Sequence, residues 1–222
     1  MEQRKKTSEK WILIGAGECH LDEIKIDENA CLVAVDGGIE YCNKFALIPD
    51  YYIGDFDSIS REYHLTMEQI KKESPDKVIS FPSEKDDTDM MAAIRIGIAN
   101  GAKEFIIYGG LGNRLEHTIA NIQCLVFIKE NGGFGYLRDK DTCVYVLQNE
   151  TMQYEETKTG YFSVFAMGEK ADGIYIKGMK YPLSNATITD SFPIGVSNEF
   201  TGKKAEVSVG KKKVLVIESS KQ

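Results

Sequence analysis

The sequence of 222 residues lacks the marks of several protein classes. Its five cysteines, at 19, 31, 42, 124 and 143, are odd in number and form no C-x-x-C pair. That excludes a dense disulfide framework, and free thiols in a reducing compartment are expected. His20, His64 and His117 are scattered without zinc-ligand spacing. No apolar run approaches the roughly 20 residues of a membrane span. The start, MEQRKKTSEK, has no apolar stretch of signal-peptide type. A cytoplasmic protein with no membrane role is the expectation. A basic surplus is also missing: 27 Lys+Arg against 34 Asp+Glu leave a net charge of −7, which argues against general nucleic-acid binding. There is no G-x-x-x-x-G-K-[ST] loop, and Gly15-x-Gly17 lacks the third glycine of a dinucleotide fingerprint.

What is present suffices for a folded core. Hydrophobic residues make up 42% and charged residues 27%, the proportions of an ordinary globular chain. Residues 11–16, 31–35, 51–54, 77–81 and 104–109 read as buried strands. Helical patterns lie between several of them, at 60–74, 88–100 and 115–130. The last would place Leu115, Ile119, Ile122 and Val126 on one face. Alternation of strand and helix predicts an α/β domain with a mostly parallel sheet and helices on both faces.

From residue 135 onward the pattern changes to short strands at 135–138, 143–147, 161–167, 173–178, 205–209 and 214–219. Turn-rich pieces such as MKYPLSN separate them, and Lys211-Lys212-Lys213 reads as a solvated hairpin tip. An all-β sandwich or barrel is expected here. We therefore divide the chain into domains 1–138 and 139–222.

In a parallel α/β sheet, ligands bind beyond the carboxyl ends of the strands. Unusual residues follow five strands in turn: Gly15-Ala16-Gly17-Glu18, Asp36-Gly37-Gly38, Gly54-Asp55-Phe56-Asp57-Ser58, the stretch from Ser83 to Asp89, and the stretch from Gly109 to Arg114. Asp55 and Asp57 stand two apart, which at a strand end points both carboxylates the same way. Such a pair repels unless a cation intervenes, and Asp89 could add a third ligand. Hard oxygen donors without His or Cys suit Mg²⁺. Each aspartate alone also reads as a turn former or helix cap. The glycine runs allow backbone N–H groups to approach an anion, with Arg114 to meet a phosphate, although plain turn geometry explains glycines too. Lys85 either neutralises a phosphate or is a solvated loop lysine. His117 and Asn121 follow Arg114 at +3 and +7 and share a helix face with it, either lining a nucleotide site or facing solvent.

DGG at 36–38, GDFDS at 54–58, KDDTD at 85–89 and GGLGNRLEH at 109–117 resemble, in order and spacing, the thiamine pyrophosphokinase family; the Ser197-Asn198 segment resembles its β-domain element. The resemblance implies transfer of a pyrophosphoryl group from ATP to the hydroxyl of thiamine, releasing AMP, with Mg²⁺ as cofactor. It also implies a homodimer with active sites at the subunit interface. Asp55, Asp57 and Asp89 would be metal and catalytic carboxylates, and Arg114 a catalytic cation. Asp36, Gly37, Lys85, Thr88, Glu116, His117 and Asn121 would line the ligand site, with Ser197 and Asn198 reaching in from the β domain. Two positions depart from the family pattern: Asn113 stands where Gly is usual, and Glu116 where Asp is usual. Alternatives are a pyrophosphokinase acting on another alcohol, such as a hydroxymethylpterin, and a non-catalytic protein binding thiamine diphosphate or a nucleotide.

Overall fold

A strand covered on both faces needs an apolar side chain at every position, and Cys31–Val35 (CLVAV) has that composition and is buried throughout. The structure, a computed structural model, describes residues 8–20, 26–57, 59–82, 86–112 and 114–221. The chain divides into two compact units, Met1–Lys140 and Asp141–Gln222.

In the first unit the order is β1 (Lys10–Ile14), β2 (Cys31–Val35), α1 (Gly38–Lys44), β3 (Tyr51–Gly54), α2 (Arg61–Glu73), β4 (Val78–Ser80), α3 (Asp89–Ala99), β5 (Glu104–Tyr108), α4 (Leu115–Glu130) and β6 (Phe134–Arg138). The strands are all parallel and lie in the order β4-β3-β2-β1-β5-β6. Strand order therefore reverses at β1, and such a switch point opens a crevice above the sheet. Helices α1 and α2 pack on one face, where Ile39, Cys42 and Met67 meet Ile12, Ile14, Leu32 and Ala34. Helix α3 packs on the opposite face, where Gly97 lies so close to Phe105 and Trp11 that a Cβ would stand 2.6 and 3.1 Å from their rings.

Helix α4 corrects the sequence reading in its orientation. Its buried residues are Asn121, Cys124, Leu125 and Ile128, whereas Leu115 and Ile119 are 70% and 51% exposed. The helix carries apolar residues on more than one side, so periodicity alone selected the wrong stripe. A second correction concerns 135–138, grouped by pattern with the later short strands although the boundary at 138 leaves them in the first domain: β6 pairs in parallel with β5 in the first sheet.

The second unit contains β7 (Thr142–Leu147), β8 (Glu150–Tyr154), β9 (Tyr161–Ala166), β10 (Lys170–Lys177), β11 (Leu183–Thr189), β12 (Asn198–Glu199), β13 (Ala205–Val209) and β14 (Val214–Ser219). Strands β12-β9-β14-β7 form one antiparallel sheet and β11-β10-β13-β8 the other. Tyr154, Phe162 and Phe200 pack edge-on or tilted between strands of both, with ring centroids 5.3–5.9 Å apart. The Tyr145 hydroxyl donates to Glu218 Oε1 at 2.6 Å and lies 2.5 Å from the Tyr154 hydroxyl. Burial, with Tyr154 and Glu218 beside it, pushes the Tyr145 phenol far up, so it stays a donor.

This unit is the expected antiparallel sandwich, with two local differences. Part of MKYPLSN, read as turn, opens β11 at Leu183. Lys211–Lys213 is not a hairpin tip: β13 and β14 lie in different sheets, so the lysines sit on the crossover between them.

Candidate active site

The β1 and β5 loops interlock at the switch point. The Gly15 and Gly17 N–H groups donate to Tyr108 O and Gly109 O at 2.8 and 2.9 Å. Gly109 has φ +63°, and a Cβ there would stand 2.4 Å from Gly15 O, so only glycine permits the approach. Around this junction lies a cavity of about 920 Å³. Its lining includes Gly15 and Gly17 after β1, Asp36 and Gly37 after β2, Thr88 and Asp89 after β4, and Arg114, His117 and Asn121 after β5, so residues from four strand ends share one space.

Each is held by its local fold. Thr88 caps α3, its Oγ1 accepting from Met91 N–H at 3.2 Å, which places Asp89 in the first turn. Asn121 is buried and donates from Nδ2 to Gly110 O at 2.8 Å, tying α4 to the glycine loop. Arg114 is the N-cap residue of α4, and its Nε donates to Glu116 Oε1 at 2.8 Å. That hydrogen bond, with the Arg114 charge, holds the Glu116 carboxyl below its usual value. Glu116 thus orients the arginine.

The aspartates meet in another way than strand alternation. Strand β3 ends at Gly54, so Asp55-Phe56-Asp57 lies beyond it. Phe56 turns into the left-handed region, at φ +62°, with its ring buried in the core, and Asp57 N–H donates to Asp55 Oδ1 at 3.2 Å. A tight turn, not a period of two, brings the carboxylates together. The partner it brings near is Asp36, at φ +47° with its N–H on Ile53 O: one oxygen each from Asp36, Asp55 and Asp57 lies within 4.8 Å of the others. Asp89 is not part of that group, but its charge reaches Asp57. The Asp57 carboxyl is raised, chiefly by Asp55, then by partial desolvation, the hydrogen bond with Asp55, and the charges of Asp36 and Asp89. Three hard oxygen donors that repel one another fit a divalent cation such as Mg²⁺.

Lys85, Asn113 and Ser58 lie outside the described residues. In the second unit, Asn198 is buried and its carboxamide is occupied: Oδ1 accepts from Tyr181 and Glu199 N–H, and Nδ2 donates to Tyr181 O. Ser197 has φ +59°, and its N–H donates to Ser163 Oγ at 3.0 Å. Glu199 is gripped by Lys180 and Lys221, whose hydrogen bonds bring its carboxyl down to about 2. Sequence reasoning missed Glu40, Tyr41, Lys44 and Tyr63, which also line the cavity. The signal was available: Ile39 and Cys42 at a helical step, with Gly37, Glu40, Tyr41 and Lys44 on another face.

A doubly wound α/β unit with glycine loops, an arginine and grouped carboxylates at its switch point, followed by an antiparallel sandwich, defines a two-domain protein built to handle a phosphate ester. The thiamin pyrophosphokinase catalytic-domain model matches residues 24–133, and the thiamin pyrophosphokinase vitamin B1 binding-domain model matches residues 145–214. The thiamine pyrophosphokinase of Bacillus subtilis (strain 168) is 27% identical over 195 residues, 87% of this chain and 89% of that protein. Solved structures of the thiamin pyrophosphokinases from Geobacillus thermodenitrificans and B. subtilis superpose with TM-scores of 0.81 and 0.79. They are 25% and 24% identical, and the matches cover 96% of this chain and 98% and 100% of theirs. The chain belongs to the thiamin pyrophosphokinase family and is an enzyme.

Proposed function

We propose that the protein transfers the pyrophosphoryl group of ATP to the hydroxyl of thiamine, giving thiamine diphosphate and AMP. The observation that carries this reading is the Asp36–Asp55–Asp57 group beside a cavity walled by glycine loops and Arg114. Those three carboxylates would hold Mg²⁺, which when bound supplies positive charge to a triphosphate. The chain's own residues do the rest. The backbone of the β1 and β5 loops lets the phosphates approach closely. Arg114, steadied by Glu116, faces the charge that develops on the transferred group. Asp89, at the first turn of α3, adds negative potential beside Asp57, and an aspartate of this rim accepts the proton of the attacking hydroxyl. Alignment of alcohol and phosphorus is the main demand of such a transfer.

We assign the nucleotide to the first unit and thiamine recognition to the second, with Ser197 and Asn198 shaping that surface. We also assign a homodimer, supported by apolar side chains left exposed on α4 (Leu115, Ile119) and in the second unit (Phe192, Ile194, Val196). A cytoplasmic location is supported by five cysteines in thiol form. Among the described residues no helix is long and apolar enough to cross a membrane.

The test is a product assay. Protein, ATP, Mg²⁺ and thiamine are incubated with and without chelator, and AMP and thiamine diphosphate are separated by chromatography. Equal, chelator-sensitive amounts of both products are expected. Transfer to a hydroxymethylpterin but not to thiamine would overturn the acceptor assignment. Nucleotide binding without transfer to either alcohol would overturn the catalytic one.

A further inference from the structure

Asp86, Asp87 and Asp89 crowd the approach to α3, and they are not placed alike. Asp89 lines the cavity and its charge reaches Asp57. Asp87 instead forms an ion pair with Arg95, whose Nε lies 2.9 Å from Asp87 Oδ2. Arg95 stands seven residues after Thr88, about two helical turns, so both lie on one side of α3. Side chains on a helix lean toward its N-terminus, which lets Arg95 reach back along that side to Asp87.

The arginine is itself seated. Its guanidinium carbon lies 4.9 Å from the centroid of the Phe127 ring on α4. A planar guanidinium stacked on an aromatic face is better fixed than a free ammonium would be. Asp87 is felt on α4 as well: burial, and then the Asp87 charge, pushes the Cys124 thiol up to about 12. Asp87, Arg95 and Phe127 thus tie the approach to α3 to the flank of α4.

The tie matters at the next residue. The Thr88 cap on α3 is an exposed hydrogen bond of 3.2 Å, at the long limit for N–H···O, so the cap alone is a weak hold. The Asp87–Arg95 pair fixes the chain one residue earlier, and with it the angle at which Thr88 and Asp89 enter the helix. Neither Arg95 nor Asp87 lines the cavity, and the transfer chemistry described above uses neither.

We propose that Arg95 is a positioning residue of the transfer reaction: seated on Phe127, it holds Asp87 and so keeps Thr88 and Asp89 in the cavity wall. The proposal rests on the reading of the cavity as the site of pyrophosphoryl transfer.

The test sets amide hydrogen exchange beside steady-state kinetics with ATP, Mg²⁺ and thiamine. Arg95→Gln keeps a long helix-forming side chain and removes the charge. Exchange of the Met91 and Ala92 amides, which donate to Thr88 Oγ1 and Thr88 O, should quicken about fivefold, the upper range for an exposed ion pair. The value of kcat should fall by about the same factor, while the KM for thiamine and exchange in the middle of α3 stay within about twofold. Tm should drop by no more than about 4 °C, which separates this loss from general unfolding. Asp87→Asn should reproduce the loss, and the double variant should be no worse than either single one. Arg95→Lys, which restores the charge, should recover most of the rate. Unchanged kcat and unchanged Met91 exchange in Arg95→Gln would overturn the proposal. So would losses that add in the double variant, which would separate Arg95 from Asp87. Quickened exchange with kcat unchanged would make the tie structural only and remove it from the reaction. A wild-type protein that forms no thiamine diphosphate would refute the transfer reading; quickened Met91 exchange in its Arg95→Gln variant would still support the anchor at α3.

Discussion

Gly38→Ala separates local propensity from tertiary packing. Gly38 opens α1 with an ordinary negative φ, so helix propensity alone makes alanine better by up to about 1 kcal/mol. The fold reverses that sign. A Cβ on Gly38 would stand 1.8 Å from Ile14 O and 2.6 Å from Ile14 C, both backbone atoms of β1 that no rotamer change can move. Relief to a 3.0 Å contact requires a shift of at least 1.2 Å between helix and strand. Overpacking of this kind costs roughly 1–3 kcal/mol, and a backbone contact as short as 1.8 Å belongs at the upper end; about 3 kcal/mol less the propensity gain of about 1 leaves a destabilisation. A net loss of about 2 kcal/mol would lower Tm by roughly 4–8 °C in a chain of this size. The same shift displaces Asp36 and Gly37, which precede the helix, and misplacement by about 1 Å can cost a hundredfold in rate. Gly37→Ala provides the graded comparison, since its Cβ would stand 2.9 Å from the Ala16 methyl and no nearer than 3.9 Å to backbone. Thermal denaturation and AMP release are measured on both variants. A Gly38→Ala protein with Tm unchanged or raised and activity within twofold of wild type would refute the argument.

Further expectations follow from the charges. Asp57→Asn removes a carboxylate that its neighbours repel, so the metal-free fold should be no less stable, while Mn²⁺ binding and pyrophosphoryl transfer fall at least a hundredfold. Full turnover with this variant would remove Asp57 from the reaction. Because the Asp57 carboxyl is raised, its charge is lost at a higher pH than an ordinary aspartate's, and Mn²⁺ affinity should fall as pH drops from neutral. Glu116→Gln should leave Tm unchanged, since the Arg114 pair is exposed, yet raise the KM for ATP. Because the Glu116 carboxyl lies below its ordinary value, that pair stays charged throughout the neutral range and should add no inflection to a pH–rate profile between 6 and 8. In the second unit, Glu199 should titrate by carboxyl NMR at about 2, and what it contributes to stability is present above the ordinary carboxylate value and lost only as pH falls through that point. Tyr145→Phe removes a buried hydrogen bond to a carboxylate and should cost about 1.5–3 kcal/mol in chemical denaturation.

Most of the first unit's sheet was readable because β1, β2, β3 and β5 are apolar runs closed by glycine or aspartate, and because strand–helix alternation admits few topologies. What misled was local. Helix α4 is apolar on two sides, and a period of 3.6 cannot say which side the sheet takes; Leu115 and Ile119 fit the pattern as well as Leu125 and Ile128 do. Helix α1 escaped notice because seven residues behind two glycines make a weak periodic signal, and β11 because Pro182, Ser184 and Asn185 read as turn.

The site shows the same division between composition and geometry. That carboxylates, glycines and an arginine gather at the strand ends follows from the order of elements, so Asp36, Thr88, Asp89, Arg114, His117 and Asn121 were all within reach of a sequence reading. Which carboxylates approach one another was not. It depends on two left-handed residues, Asp36 and Phe56, whose conformations turn the chain after β2 and β3 toward a common point. Aspartate tolerates that region and phenylalanine does not, so the Phe56 turn must be held by what its side chain gains. The buried ring, 2% exposed within the α1–α2 core and with Lys71 Nζ 5.4 Å from its centroid, supplies that gain. The carboxylate group is thus a consequence of core packing beneath it. Phe56→Ala should therefore loosen Mn²⁺ binding as well as destabilise the fold, although the phenylalanine carries no ligand atom. If Phe56→Ala lost stability but bound Mn²⁺ as tightly as wild type, the turn would be set by the aspartates alone.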